Sequence, residues 1–389
     1  MSIKANLVLI TIDSLRADHL SCYGYHRRTS PNIDKIAEEG VLFSNCFATS
    51  CQTFYSFISI FLSYYPSMYK PQFSKVIKTL PEILKENGYR TIGIHSNSWL
   101  LYGPFHRGFD VYKDLYFDRT GVITSFASPI KSKMTYDILQ SIQKYAKKSK
   151  ILYFISSIPY NIYVLKGNKD KIDDYLLVKE AIRHLNNTDH RPFFLWLHFM
   201  NIHYRPNPPS KYFHFITEES YPSLLKKAII FSKTRHFYLS SKERELVIEL
   251  YDGAIRYVDT IVGYLIEYFR ERKLMNTTYF IITADHGDEF GEHGDYFHHK
   301  PKLHNELLHV PLIIRGPDIP RKTVSENVSL IDLAPTILDL LRIPPYRGFL
   351  GESLIALIKK NQKFQKPIIS EIENKICLLY TSPSPRDRG

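Results

Sequence analysis

The chain has 389 residues, 44% of them hydrophobic and 23% charged, which is enough apolar mass to bury a large core and excludes a disordered chain. The formal charge of +12 suits an anionic substrate or a polyanionic surface, although lysine-rich solvated faces give the same sum with no partner. Four cysteines, Cys22, Cys46, Cys51 and Cys377, have neither zinc-ligand spacing nor the density of a disulfide scaffold, which fits structural thiols in a reducing compartment.

In chain order, residues 6–12 (NLVLITI) form the first apolar run, reached from Met1 with no secretory leader between, so a cytoplasmic location is expected. That run reads as a buried strand, and residues 89–94, 193–198, 279–283 and 311–314 read the same way. Residues 110–175 have the least regular pattern and are expected to be an insertion. Within them, ILYFISSIPYNIYVL at 151–165 is too short for the roughly 20 residues of a spanning helix and contains Pro159. Six lysines between Lys131 and Lys150, offset only by Asp137, precede it. Together they read as a buried helix beside a solvated basic face, or as a surface for a membrane or a lipid-like substrate.

Between 246 and 269, the residues Val247, Leu250, Ala254, Val258, Ile261, Leu265 and Phe269 recur at spacings of three and four, which predicts a helix with one face on a sheet. A further helix is expected over 332–341, stopped by Pro344 and Pro345. Strands alternating with helices indicate an α/β fold: a large, mostly parallel sheet flanked by helices on both faces, with a small C-terminal element. At the end, CLLYTSPSPRD over 377–387 matches the in-frame translation of a common sequencing adaptor. Residues 377–389 are therefore set apart from a main domain over 6–376.

Asp13 directly follows the first strand, and Asp285 with His286 directly follows another. In an open α/β sheet such residues can meet in the crevice at the strands' carboxyl ends. Two carboxylates and an imidazole are suitable ligands for Mn, Zn, Mg or Ca. The alternatives are a helix cap or turn for each Asp and a loop role for the His.

The local text goes further. NLVLITIDSLRADHLSCYGY, SPNIDKIAEEGVLFSNCFA, RPFFLWLHFMNIHYRPNPP, YDGAIRYVDTIVGYLIEYF, IITADHGDEFGEHG, ELLHVPLIIRGP and SLIDLAPTILDLLRIP resemble, in order and spacing, the blocks of the sulfatase family of the alkaline phosphatase superfamily. The resemblance implies a hydrolase of sulfate, phosphate or phosphonate esters. It implies one divalent metal ion held by Asp13, Asp285 and His286, with His203 touching the anionic ester and Asn97 and His299 as further substrate contacts. Ser14 stands where many sulfatases carry a second Asp, which points to the smaller ligand set of phosphonate and phosphodiester hydrolases.

Sulfatases convert the first residue of a CxPSR motif to formylglycine, and no CxPSR occurs here. Aligning FATSCQTFYSFISIFLSYYP by its flanks puts Thr53 at the nucleophile, Tyr55 at the proline, Ser56 at the serine and Phe57 at the arginine. Relatives that handle phosphoryl groups use an unmodified Thr or Ser as a metal-activated nucleophile, so Thr53 is expected both to attack and to ligate. Cys51 fits only if the alignment slips by two. The implied partner is a small anionic ester, free or on a sulfated or phosphorylated glycan or lipid, with no nucleic acid and no spanning segment. A phosphoryl-group transferase and a catalytically silent homologue are the other readings.

Overall fold

The computed structural model describes residues 4–70, 76–115, 150–166, 173–186, 190–203, 205–235, 237–360, 367–372 and 375–379. Every strand read from the apolar runs is present: β1 (Asn6–Ile12), β3 (Arg90–His95), β5 (Phe193–Phe199), β6 (Thr278–Ala284) and β9 (His309–Arg315). They join β2 (Val41–Phe47), β4 (Val111–Asp114) and β10 (Lys322–Ser329) in one eight-stranded sheet of order β10-β2-β9-β6-β1-β5-β3-β4. β9 runs antiparallel to both its neighbours, β2 and β6, and the other pairings are parallel. Two small hairpins, β7 (Glu289–Phe290) with β8 (Tyr296–Phe297) and β11 (Ile368–Ile372) with β12 (Lys375–Leu379), complete the strands among the described residues. β12 takes in the first residues of the adaptor-like tail, the rest of which lies outside the described residues.

The helices that matter for the site are α1 (Pro31–Glu38), α2 (Thr53–Leu62), α3 (Leu80–Glu86), α4 (Lys150–Lys166), α5 (Asp174–Asn186), α6 (Leu224–Lys233), α7 (Ser241–Glu271) and α8 (Leu333–Leu340). They cover both faces of the sheet, as β5 makes plain. Its side chains alternate, so Phe193 and Trp196 point to opposite faces. Phe269 of α7 packs on Phe193 at 6.1 Å between centroids, whereas Phe57 and Phe61 of α2 pack on Trp196 at 5.3 and 4.9 Å. α7 begins with a capping box, Ser240 accepting from the Glu243 N–H and Glu243 accepting from the Ser240 N–H. All seven apolar positions expected on its inward face are buried.

Val111–Asp114 is the edge strand β4, and 150–166 is a helix packed on α6; residues 116–149 and 167–172 lie outside the described residues. No described helix is long and apolar enough to cross a membrane.

Leu265 is wholly buried on α7. Leu265→Ala should lower stability by about 2–5 kcal/mol through lost burial and the cavity left behind, read as a lower urea midpoint with an unchanged slope.

Candidate active site

Register brings the site together. β1 lies between β5 and β6, with Ile12 opposite Phe199 on one side and Ala284 on the other. The residues just past the two strand ends, Asp13 and Asp285, are thus neighbours, and the Asp13 N–H donates to the Phe199 carbonyl at 2.9 Å. Ser14 then turns sharply, with φ of 61° in the left-handed region that costs a serine conformational energy. Hydrogen bonds hold it there. The Ser14 N–H donates to Asp285 Oδ1 at 3.3 Å and its hydroxyl to Asp13 Oδ1 at 3.0 Å. From α7, the Tyr251 hydroxyl donates to the Ser14 carbonyl at 2.7 Å and accepts from the Arg16 N–H at 2.9 Å. After Asp285 and His286 the chain passes so close to Glu306 that a Cβ on Gly287 would lie 2.1 Å from its carbonyl oxygen, so only glycine fits.

Asp13 and Asp285 are both 0% exposed. His286 Nε2 lies 3.8 Å from Asp13 Oδ1 and 3.7 Å from Asp285 Oδ2. Its Nδ1–H donates to the Gly287 carbonyl at 3.0 Å, which leaves the Nε2 lone pair facing the carboxylates. Thr53, the first residue of α2, places Oγ1 3.3 Å from Asp13 Oδ2 and 3.5 Å from His286 Nε2. The Asn97 amide, beyond the end of β3, donates to Asp13 Oδ2 at 3.0 Å. His203 Nε2 stands 3.9 Å from Asp13 Oδ1. Of the residues expected from the sequence, Asp13, Thr53, Asn97, His203, Asp285 and His286 therefore converge.

His299 does not join them. Its ring lies against Phe297 at 5.6 Å, and the cleft is lined instead by its neighbour His298. The His298 Nδ1–H donates to Asp288 Oδ1 at 2.6 Å, and its ring lies 4.7 Å from that of His286 and 5.1 Å from that of His203. Sequence reading also passed over His198, wholly buried on β5, with Nε2 3.3 Å from Asp13 Oδ2 and Nδ1 2.9 Å from Thr11 Oγ1. A histidine inside a core strand, beside the strand that ends in Asp13, was the available signal. Cys51 lies in a small buried cluster with Leu307 and Ile372 and does not line the cleft. Phe57, at the arginine position of the expected motif, is buried with its ring 5.1 Å from His198 and nearly perpendicular to it.

Burial and the neighbouring Asp13 raise the Asp285 carboxyl. Burial also works against Asp13, but the imidazoles of His203, His198 and His286 hold it well below the usual carboxylate range. Burial and the adjacent His286 push His298 down to about 4. Among the described residues, Asp285 Oδ2 is buried with no hydrogen-bond partner, and the ligand atoms of Asp13, His198 and Asp285 all lie within 4.8 Å of one another. An orphaned oxygen in a pair of buried carboxylates fits a divalent ion held by Asp13, Asp285 and His286, with His198 and Thr53 at its edge. Beside these groups opens a cleft of about 750 Å³, lined by Gln52, Thr53, Phe54, Tyr55, Trp99, Tyr102, Met200, His203, His286 and His298 among others.

A family model described as Sulfatase matches residues 5–343. A sulfatase of Formosa agariphila is 24% identical over an alignment that covers 92% of this chain and 73% of the relative. The iduronate 2-sulfatase of Mus musculus is 24% identical over 93% of this chain and 73% of its own length. Among solved structures, the phosphonate monoester hydrolase of Agrobacterium radiobacter superposes with a TM-score of 0.65 at 20% identity, covering 95% of this chain and 81% of that one. A protein in complex with its substrate D-glucosamine-2-N,6-O-disulfate superposes with a TM-score of 0.68 at 17% identity, covering 97% of this chain and 87% of that one.

The Tyr251 hydroxyl supports two backbone groups of the turn after Asp13. Tyr251→Phe would strand both in a buried place, and the expected loss is about 1–3 kcal/mol of stability, measured by chemical denaturation.

Proposed function

The chain belongs to the sulfatase family, and from that premise we propose that it is a metal-dependent hydrolase of sulfate or phosphate/phosphonate esters with Thr53 as its nucleophile. The observation that carries this reading is the Thr53 hydroxyl, 3.3 Å from a carboxylate oxygen of Asp13 and 3.5 Å from His286 Nε2 at the mouth of the cleft. Threonine cannot become formylglycine, so its own oxygen must attack. A divalent ion bound by Asp13, Asp285 and His286 would supply the positive charge that favours the ionised hydroxyl and offsets charge on the ester oxygens.

The chain's own groups account for the rest. As the first residue of α2, Thr53 is fixed by the helix, so its oxygen faces the cleft without a search among backbone conformations. Asp13 Oδ2 accepts from the Thr53 hydroxyl and from the Asn97 amide, which orients both at once. His203 lines the same cleft and is placed to donate an N–H to an oxygen of the ester, while His298, whose one N–H goes to Asp288, lines the cleft beside it. Attack by Thr53 Oγ1 forms its bond to sulfur or phosphorus as the bond to the leaving oxygen breaks, and that oxygen takes a proton from an imidazole or water. Water then cleaves the threonyl ester and restores the hydroxyl.

The relatives named above include both sulfatases and a phosphonate monoester hydrolase, which supports keeping both acids in the proposal. The neighbour bound to a glucosamine disulfate supports a sugar ester among the substrates to try first.

Nitrophenol release from matched aryl sulfate, phosphate monoester, phosphodiester and phosphonate substrates tests the reading. Release should require added divalent metal and fall at least 1,000-fold, on the order of 4 kcal/mol in the barrier, in both Thr53→Ala and Asp285→Asn. Turnover retained in Thr53→Ala but lost in Asp285→Asn would remove the covalent step and keep the metal. No release from any substrate by the unaltered protein would favour a transferase or a silent homologue. Independently of activity, saturating manganese at 100 times its dissociation constant should raise stability by about 2.7 kcal/mol, and Asp285→Asn should abolish the shift.

A further inference from the structure

The cleft wall opposite the reacting groups is aromatic and exposed. The chain has two tryptophans; Trp196 is 0% exposed in the core, whereas Trp99 is 65% exposed on the cleft, with Tyr102 beside it at 53%. Their ring centroids are 6.1 Å apart. An indole left in water forgoes most of the free energy its burial would contribute, and a patch of this kind at the edge of a reaction site marks a binding surface.

The segment that carries these rings is built to hold still. Asn97 accepts from the Trp99 N–H at 3.0 Å, capping a 3-10 helix over Ser98–Leu101, while its amide donates to Asp13 Oδ2 at 3.0 Å. The Tyr112 hydroxyl, on β4, donates to the Leu100 carbonyl at 3.1 Å. One residue thus fastens the aromatic wall to a carboxylate of the reacting centre. The remaining lining adds Phe54, Tyr55 and Met200, and no lysine or arginine occurs among the described residues that line the cleft. Recognition of negative charge therefore falls to the end that holds Thr53, His203, His286 and His298, and the rest of the cleft selects shape and apolar area.

We propose that Trp99 and Tyr102 form the platform on which the substrate's leaving group lies, and that this group presents a flat apolar face, either an aryl ring or the C–H face of a pyranose. The proposal rests on the ester-hydrolase reading, with the leaving group pointing away from Thr53 along the wall. A cavity of about 750 Å³ accommodates one such ring with its ester group. Trp99 is the specificity-determining residue, since it offers the larger apolar area and the greater exposure.

The experiment compares phenyl, glucosamine-6-yl and ethyl esters, each as sulfate and as phosphate, in the unaltered protein, Trp99→Ala and Trp99→Phe. In Trp99→Ala the ratio of kcat/KM for a ring ester to that for the ethyl ester should fall about tenfold, mainly through KM, and Trp99→Phe should recover most of it. A fall confined to phenyl esters assigns an aryl group, and a fall that includes the sugar esters assigns a pyranose. An unchanged ratio for both overturns the platform. A second readout needs no turnover: in Thr53→Ala with manganese present, where Asp13, Asp285 and His286 are intact and the exposed tryptophan fluorescence comes from Trp99, phenyl phosphate or glucosamine 6-sulfate should shield the emission from acrylamide and ethyl phosphate should not. Shielding without turnover by the unaltered protein would keep the platform and defeat the hydrolase reading. Shielding by neither ring compound would defeat the platform even where esters are cleaved.

Discussion

Asp13 and Asp285 are carboxylates out of contact with water, on adjacent strands, with ligand atoms within 4.8 Å of each other, an arrangement that like charges resist and that low dielectric makes worse. Much of the surrounding architecture can be read as what this pair requires. Parallel pairing of β1 with β6 sets the two residues side by side, and β5 on the other flank brings His198. Tyr251 reaches from α7 to hold the turn after Asp13, and Gly287 lets the chain after His286 pass against the Glu306 carbonyl. Asp285 Oδ2, buried without a hydrogen-bond partner among the described residues, is where the protein's own groups stop short.

The parts of this arrangement legible in the sequence were those with a local signature. Central strands buried on both faces read as continuous apolar runs, so five of the eight sheet strands could be located, and the residues that follow two of them gave Asp13, Asp285 and His286. β2 and β10 escaped because SNC in the one and SEN in the other interrupt the run, as expected for strands in which some positions face water. β4 escaped because four residues of mixed character, VYKD, carry no period. His198 was hidden by its company, since FFLWLHFM reads as core and only pairing with β1 brings its imidazole to Asp13. The choice between His298 and His299 depended on which way a two-residue strand, Tyr296–Phe297, delivers the chain, and adjacent histidines in sequence cannot settle that.

Phe57 stands at the arginine position of the expected motif, and its aromatic ring packs edge-on to His198 and on Trp196 as a part of the core. The polar groups at that end of the cleft include imidazoles: the ring centroid of His298 lies 4.7 Å from that of His286 and 5.1 Å from that of His203. Such a cluster is a softer support than a guanidinium, because its charge depends on protonation where that of arginine does not.

The turn at Ser14 has a bearing on which side chains can occupy it. Its φ of 61° belongs to a region that aspartate and asparagine enter more readily than serine does. The main chain at this place therefore has a shape that aspartate would take up with less strain. Replacing the serine would ask for no new backbone conformation, so a further carboxylate could be set beside Asp13 by changing one side chain, with the turn left as it is.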